Sequence, residues 1–388
     1  PSSSSSSSLV PSLPDASPGG GAAQSGGQQA GQAGEGQQGG QQEPHHLTLS
    51  DLLSLPAAPP PFVPLCRPVG DSLLHVWCGV ARSMQRDSWS REDYLVTRQL
   101  HRGYSSEVFQ AVCRASGLHV ALKCYSLGRL SEFLTHQVMR EVRVHSRLEH
   151  PNVVQLLAAF KEDKTLVLVL EWAGGGSLAQ ARLKLGSRMR EVQAVGLVLA
   201  PLLRALQYLH GRSIVHRDIK PGNLLFSPDW RLKLCDFGVS ICAAEERPVT
   251  RAGSRDYMAP EVQACPLKNT SSDNKDDDTF SYTPACDVWS VGVLAYELLV
   301  GFAPFSGGLA SKHPQQQQQQ HRRLAFPSSV SAAARAFVNA CLQLRPEDRP
   351  TVHELLQHPW LKALERPLRS DSISRERLAA SSVGVRLG

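Results

Sequence analysis

Gly174-Gly175-Gly176 separates two stretches of this chain whose apolar residues keep different periods, so the fold has to join a sheet to a helical body. Ahead of the glycines, Tyr94 to Leu100, Val108 to Cys113, Leu118 to Tyr125, Val153 to Phe160 and Leu166 to Glu171 are rich in β-formers and bounded by turn residues. One segment among them, Ser131 to Leu148, reads as a helix with charged faces. Beyond the glycines, residues 190–210 are apolar at helical spacing and stop at Tyr208-Leu209-His210-Gly211. Pro201 lies inside that helix and predicts a kink, because its ring obstructs the carbonyl one turn back. Val288 to Leu299 is apolar almost all round, as suits a helix inside a large lobe. Residues 332–344 and 351–362 complete the helical set. The expected class is α+β: a small β-rich lobe with one main helix, then a larger, mainly helical lobe.

Composition limits where that fold sits. Of the 388 residues, 1–46 are Ser-, Gly- and Gln-rich, with no Lys or Arg and almost no large apolar side chains. Such a stretch cannot offset its chain entropy by burial and is expected to be a disordered arm. Its seven-serine run has neither a basic flank nor an apolar core, so it does not read as a signal peptide. Residues 47–92 read as a proline-interrupted linker in which Leu47, Leu49, Leu52, Leu53 and Leu55 offer a short docking segment. Ordered structure is expected from near Trp89, with a folded domain at 93–361 divided into lobes at 93–172 and 173–361. Residues 264–284 and 306–323 read as loop insertions, the second holding the Gln315–Gln320 run, and 362–388 as a basic flexible tail with Arg366, Arg369, Arg375 and Arg377. No run of 18 apolar residues stands out as a membrane span. The nine cysteines are scattered without zinc spacing, which favours reduced thiols in an intracellular protein over a disulfide framework. The net charge of +6 is too diffuse to argue for nucleic-acid binding.

His216-Arg217-Asp218-Ile219-Lys220-Pro221-Gly222-Asn223, with Asp236-Phe237-Gly238 thirteen residues later, concentrates the chemistry. Transfer of a phosphoryl group needs positioning and charge neutralisation more than covalent help. Asp218, with Lys220 beside it, suits the hydrogen bond of an acceptor hydroxyl. Asn223 and Asp236 are hard oxygen donors of the kind Mg²⁺ prefers. Lys123, ending Val120-Ala121-Leu122-Lys123, suits the phosphates of a nucleotide, and Glu141 in the predicted helix is its candidate ion-pair partner. The nucleotide's base is expected between Leu100, Val108 and Ala121 on one side and Leu225 on the other. Leu170-Glu171-Trp172-Ala173 reads as the connecting strand, with Leu170 behind the pocket and the backbone of Glu171 and Ala173 facing the base.

Leu100-His101-Arg102-Gly103-Tyr104-Ser105-Ser106-Glu107-Val108 occupies the place of a glycine-rich phosphate loop but keeps only Gly103. His101 and Ser106 put side chains where backbone would approach the phosphates, so a stiffer lid and weaker nucleotide affinity are expected. Thr250, within the segment from Val239 to Met258, is an expected phosphorylation site, with Arg217 and Arg140 as partners of its phosphate. Lys220 and Ser254 point to serine or threonine acceptors. Glu261 and Arg349 are expected to form a buried ion pair, and Asp287 to hold the backbone of the loop carrying Asp218.

Together these motifs resemble those of the eukaryotic serine/threonine protein kinases over residues 89–362. Within that group the chain is most similar to the Aurora kinases, with the polo-like kinases next. The likeness rests on Trp89 with Asp93-Tyr94, on His136-Gln137-Val138-Met139-Arg140-Glu141-Val142, on Thr250-Arg251-Ala252-Gly253-Ser254-Arg255-Asp256-Tyr257-Met258, and on His358-Pro359-Trp360-Leu361. The resemblance implies the two-lobed kinase fold, ATP and Mg²⁺ as cofactors, Asp218 as proton acceptor and protein substrates with Ser or Thr acceptors. It also implies roles in cell division or microtubule-based structures, and an activating protein docked on the small lobe. An intracellular place in cytoplasm or nucleus, in association with the cytoskeleton, follows from the same likeness. Neither nucleic acid nor membrane is an expected partner.

Some residues depart from that pattern. Gly222 stands where Aurora kinases carry a glutamate that helps read basic residues ahead of the acceptor. Residues 264–284, with Asp276-Asp277-Asp278, enlarge the loop after Glu261, and the polyglutamine run replaces a helix that often touches substrates. Basic-directed substrate choice is therefore not expected. Arg247, three residues ahead of Thr250, leaves self-phosphorylation open. A rival reading is a pseudokinase scaffold with weak ATP binding. The altered glycine loop favours it, and the presence of Lys123, Glu141, Asp218, Asn223 and Asp236 together opposes it.

Overall fold

The computed structural model describes residues 72–103, 105–184, 186–267, 273, 281–305 and 324–365. The expected arm, the leucines of 47–55, the acidic and polyglutamine runs and residues 366–388 of the basic tail lie outside the described residues, while residues 362–365, expected in that tail, are helical. Six strands form one antiparallel sheet: β1 (Leu73–Val76), β2 (Tyr94–Arg102), β3 (Ser106–Cys113), β4 (His119–Ser126), β5 (Leu156–Glu162) and β6 (Thr165–Glu171). Their order is β1-β5-β6-β4-β3-β2. The expected strands all form, with ends shifted by a few residues.

β1 falls in the stretch that reads as linker, so the sheet begins earlier than Trp89. Leu73 pairs with Phe160, and Val80, Met84 and Trp89 are buried in the same apolar cluster. A four-residue strand shows too short an alternation to be recognised on its own, and only its pairing with β5 gives it a place. Helix α1 (Glu132–His145) starts at Ser131, whose Oγ accepts from the Leu134 N–H, and buries Val138 and Val142 in a second cluster with Leu156, Leu166 and Leu168.

The helical lobe contains α2 (Leu178–Lys184), α3 (Glu191–His210), α4 (Pro260–Ala264), α5 (Ala285–Val300), α6 (Ala332–Cys341), α7 (Val352–Leu356) and α8 (Pro359–Glu365). Pro201 is accommodated in α3 by a wide turn over Ala194–Leu199, where the Ala200 N–H bonds the Val195 carbonyl five residues back. The proline then enters at the start of the regular turns that follow, just after the bonding pattern has shifted. α3 is long and apolar enough to cross a membrane, yet it forms the middle of the lobe: Leu199, Leu202, Leu203, Leu206 and Leu209 are fully buried. The single helix expected over 351–362 is two. Pro359 cannot continue α7, and His358 Nδ1 accepts from the Trp360 N–H at 3.2 Å to start α8.

Two small sheets carry the site. β9 (Leu224–Phe226) pairs with β10 (Leu232–Leu234) on one side and β7 (Gly176–Ser177) on the other. β8 (Ile214–Val215) pairs with β11 (Ile241–Cys242). Val153 and Val154, expected to open a strand, instead lie beside β10: the Val154 N–H donates to the Leu234 carbonyl and the Leu234 N–H to the Asn152 carbonyl. The described cysteines are all free thiols.

Candidate active site

Lys123 lies on β4, 9 % exposed, and Glu141 lies on α1, 2 % exposed. The Lys123 ammonium donates at 2.8 Å to Glu141 Oε1 and at 2.8 Å to Asp236 Oδ1. Burial alone would lower the lysine's pKa, but Glu141 and then Asp236 outweigh it and hold it well above its ordinary value. Burial likewise works against ionised Asp236, and the neighbouring ammonium reverses this, holding the carboxyl well below the usual carboxylate range. The second oxygen of Glu141 accepts from the Tyr125 hydroxyl, a partner the motifs do not announce. The ion-pair cluster is therefore assembled and charged.

Asp218 follows β8. The backbone there is strained, with Arg217 at φ 71°, and is held by Asp287 at the start of α5. Asp287 is fully buried and accepts from the His216 N–H at 2.9 Å and the Arg217 N–H at 2.8 Å, and pairs with the His210 ring at 2.9 Å. The expected anchor is present. Asp218 is held through both oxygens: Oδ2 accepts from Asn223 Nδ2 and pairs with Lys220 Nζ, both at 2.8 Å, while Oδ1 accepts from the Ser254 N–H at 2.7 Å and keeps a free lone pair. Lys220 also donates to Ser254 Oγ at 2.7 Å. Gly253 makes this possible. Its φ is +107°, and a Cβ would sit 2.2 Å from the Arg217 carbonyl oxygen.

The β9–β10 hairpin brings the two metal candidates together. Leu224 pairs with Leu234, and the Cys235 N–H donates to the Asn223 carbonyl at 3.0 Å, so Asn223 and Asp236 flank one end of it. Asn223 spends Nδ2 on Asp218, which leaves its amide oxygen for a cation, and the Asp236 side chain is ionised and 45 % exposed. Two oxygens of this kind fit Mg²⁺, which keeps waters and shares phosphate oxygens with its site.

Where the nucleotide is expected, the β2–β3–β4–β6 register puts His101, Val108, Ala121 and Leu170 on the face of the sheet that carries Lys123. Leu100 is 39 % exposed beside them, at an irregularity between Gln99 and His101. The hairpin is paired to its tip: His101 opposes Val108, Arg102 opposes Glu107, and the Gly103 N–H donates to the Ser106 carbonyl at 2.8 Å. Glu171 ends β6 and its carboxylate pairs with Lys233 at 2.7 Å, while Ala173 is buried two residues on. Leu225 opposes both Lys233 and Ser177 in the small sheet. There the Gly175 backbone lies so near β9 that a Cβ would meet the Ser227 carbonyl oxygen at 2.7 Å.

Thr250, Arg140 and Arg217 border one cavity of about 220 Å³. The two arginines are bonded elsewhere: Arg140 to both oxygens of Glu246 at 2.9 Å, and Arg217 to the Val239 carbonyl and, at 2.8 Å, the Tyr282 hydroxyl. Tyr282 in turn donates to the Thr250 carbonyl at 2.9 Å. Tyr282 and Glu246 carry no motif that would single them out. Arg349 forms the expected pair with Glu261, at 2.6 and 2.8 Å.

The protein kinase domain family matches residues 94–361. Aurora kinase C of Mus musculus is 33% identical over 278 residues, which are 71% of this chain and 94% of the mouse protein. Aurora kinase of Dictyostelium discoideum is 31% identical over 289 residues, 74% of this chain and 70% of that protein. Aurora kinase of Encephalitozoon cuniculi (strain GB-M1) is 31% identical over 274 residues, 70% of this chain and 95% of that protein.

Proposed function

Because the chain belongs to the protein kinase family, as an Aurora-like serine/threonine kinase, we propose that it transfers the γ-phosphate of Mg-ATP to serine and threonine hydroxyls of proteins. The observation that carries this is the simultaneous closure of two clusters, Lys123–Glu141–Asp236 and Asp218–Lys220–Asn223–Ser254. Lys123, oriented by two carboxylates, holds the nucleotide's phosphates. Asn223 and Asp236 hold the cation. Mg²⁺, when bound, neutralises the charge spread over the phosphate oxygens. Asp218 accepts the hydrogen bond of the acceptor hydroxyl and takes its proton, aimed by Asn223 and the Ser254 N–H. Lys220 bridges Asp218 and Ser254 and supplies positive charge next to the reacting oxygen. The test is incorporation of labelled γ-phosphate into a generic protein. Asp218→Asn is expected to lower it by about 10²–10⁴-fold, and an Asp218→Asn rate equal to wild type overturns the reading.

Regulation belongs to the same proposal. A phosphate on Thr250 adds nearly two negative charges beside Arg217 and Arg251, which border the cavity with it. Thr250→Ala is expected to lower the stimulated rate by about tenfold, read after incubation with and without ATP. Roles in division or on microtubules, an activating protein on the small lobe, and a place in cytoplasm or nucleus near the cytoskeleton rest on the likeness to Aurora kinases. The exposed Leu95 and Val96 of edge strand β2 offer apolar surface for such a partner. Imaging of the tagged chain through division tests these points, and uniform distribution at every stage counts against them.

A further inference from the structure

α1 carries Arg140 and Arg143 near its end, Arg147 follows two residues past it, and the segment after β11 brings two consecutive glutamates against the three. Glu246 takes Arg140 in a two-pronged bond, both contacts 2.9 Å, with the side chains only 18 % and 15 % exposed. Glu245 reaches Arg147 and, at 3.7 Å, Arg143. Both glutamates are fixed by their own backbone, since their N–H groups donate to the Cys242 carbonyl at 3.0 and 2.9 Å. Cys242 ends β11, which pairs with β8 next to the catalytic loop. A third link runs the same way, from Gln137 Nε2 to the Gly238 carbonyl at 3.0 Å.

From this geometry we infer that Glu246, assisted by Glu245, is a positioning residue. It holds α1 where Glu141, the next residue after Arg140, reaches Lys123, and it does so without a phosphate on Thr250. This rests on the kinase reading of the site. The half-buried, bidentate pair supplies the anchoring, because the exposed Glu245 contacts contribute little singly. Arg140 is occupied by a carboxylate built into the chain. A phosphate on Thr250 then acts on Arg217 and the segment, while the seat of α1 is already set.

The experiment uses the full chain, phosphatase-treated, as wild type, Thr250→Ala, Glu246→Gln and the exchanged pair Arg140→Glu with Glu246→Arg. Hydrogen exchange over residues 132–145 is expected to quicken about tenfold in Glu246→Gln, to stay at the wild-type rate in Thr250→Ala, and to recover in the exchanged pair. The kcat of Glu246→Gln is expected to fall about tenfold, with the KM for protein substrate unchanged. Exchange in Glu246→Gln equal to wild type overturns the inference, as does exchange in Thr250→Ala as fast as in Glu246→Gln. If the wild type transfers no phosphate under any condition, the kinase reading fails, and the exchange rates still decide whether the glutamates seat the helix.

Discussion

The two halves of the active site are held by different means. Asp218 and Asn223 sit on a loop whose amides are bonded to Asp287, on a helix where every residue from Cys286 to Val300 is buried. Lys123 and Glu141 meet across a joint between a strand and a helix, and that helix is tied to residues 238–246 by ion pairs and one hydrogen bond from the Gln137 side chain. Backbone bonds to a buried carboxylate do not respond to salt or to neighbouring charges. Ion pairs near the surface do. Asp218 is thus fixed by the fold, and Lys123 is set by charge.

This contrast predicts a graded series. Asp287→Ala strips three partners at once and leaves buried N–H groups unmet, so unfolding in urea should show a loss of about 3–5 kcal/mol together with loss of transfer. Acid acts next, through His145 at the end of α1. It is buried against Phe237, with ring centroids 4.6 Å apart, and burial pulls its pKa from 6.5 down to about 4. The unfolded chain takes the proton first, so stability is complete above pH 6.5 and is lost as pH falls from 6.5 toward 4. The full effect is about 3 kcal/mol for this ring. His145→Gln should flatten the pH dependence of the urea midpoint in that window, and His150, also lowered to about 4, leaves a residual slope.

Glu141→Gln tests the joint alone. Transfer should fall about a hundredfold, near 2.7 kcal/mol in the barrier, while the urea midpoint moves far less than in Asp287→Ala. Equal losses of stability in the two variants would mean that both halves belong to one rigid body. The weakest effect is expected at the lid: His101→Gly with Ser106→Gly should lower the ATP KM by about three- to tenfold at unchanged kcat. An unchanged KM would show that the paired hairpin tip does not govern phosphate approach.

What was legible in the sequence follows the same division. Asp218, Lys220, Asn223 and Asp236 lie within one short stretch whose local order fixes their geometry, so the motif already describes the loop. Lys123 and Glu141 were legible by their order ahead of it. The Glu246–Arg140 pair joins residues 106 apart, so Arg140 reads from the sequence as a partner for a phosphate on Thr250, and its carboxylate partner shows only in the fold. Tyr125 and Tyr282 were hidden for the same reason, as hydroxyls that matter only through partners 16 and 65 residues away. β1 escaped notice because its edge position shows only four residues of alternation. Pro201 was read locally as a bend, and the fold absorbs it in a wide turn that no residue-level rule requires.

Asp287 has one more consequence. The carboxylate that anchors the loop of Asp218 stands on a helix buried along almost its whole length, so that loop has no melting curve of its own. Warming cannot slacken the aim of Asp218 by degrees. As temperature climbs, catalysis by this half should persist undiminished and then stop together with the lobe, in a single cooperative step.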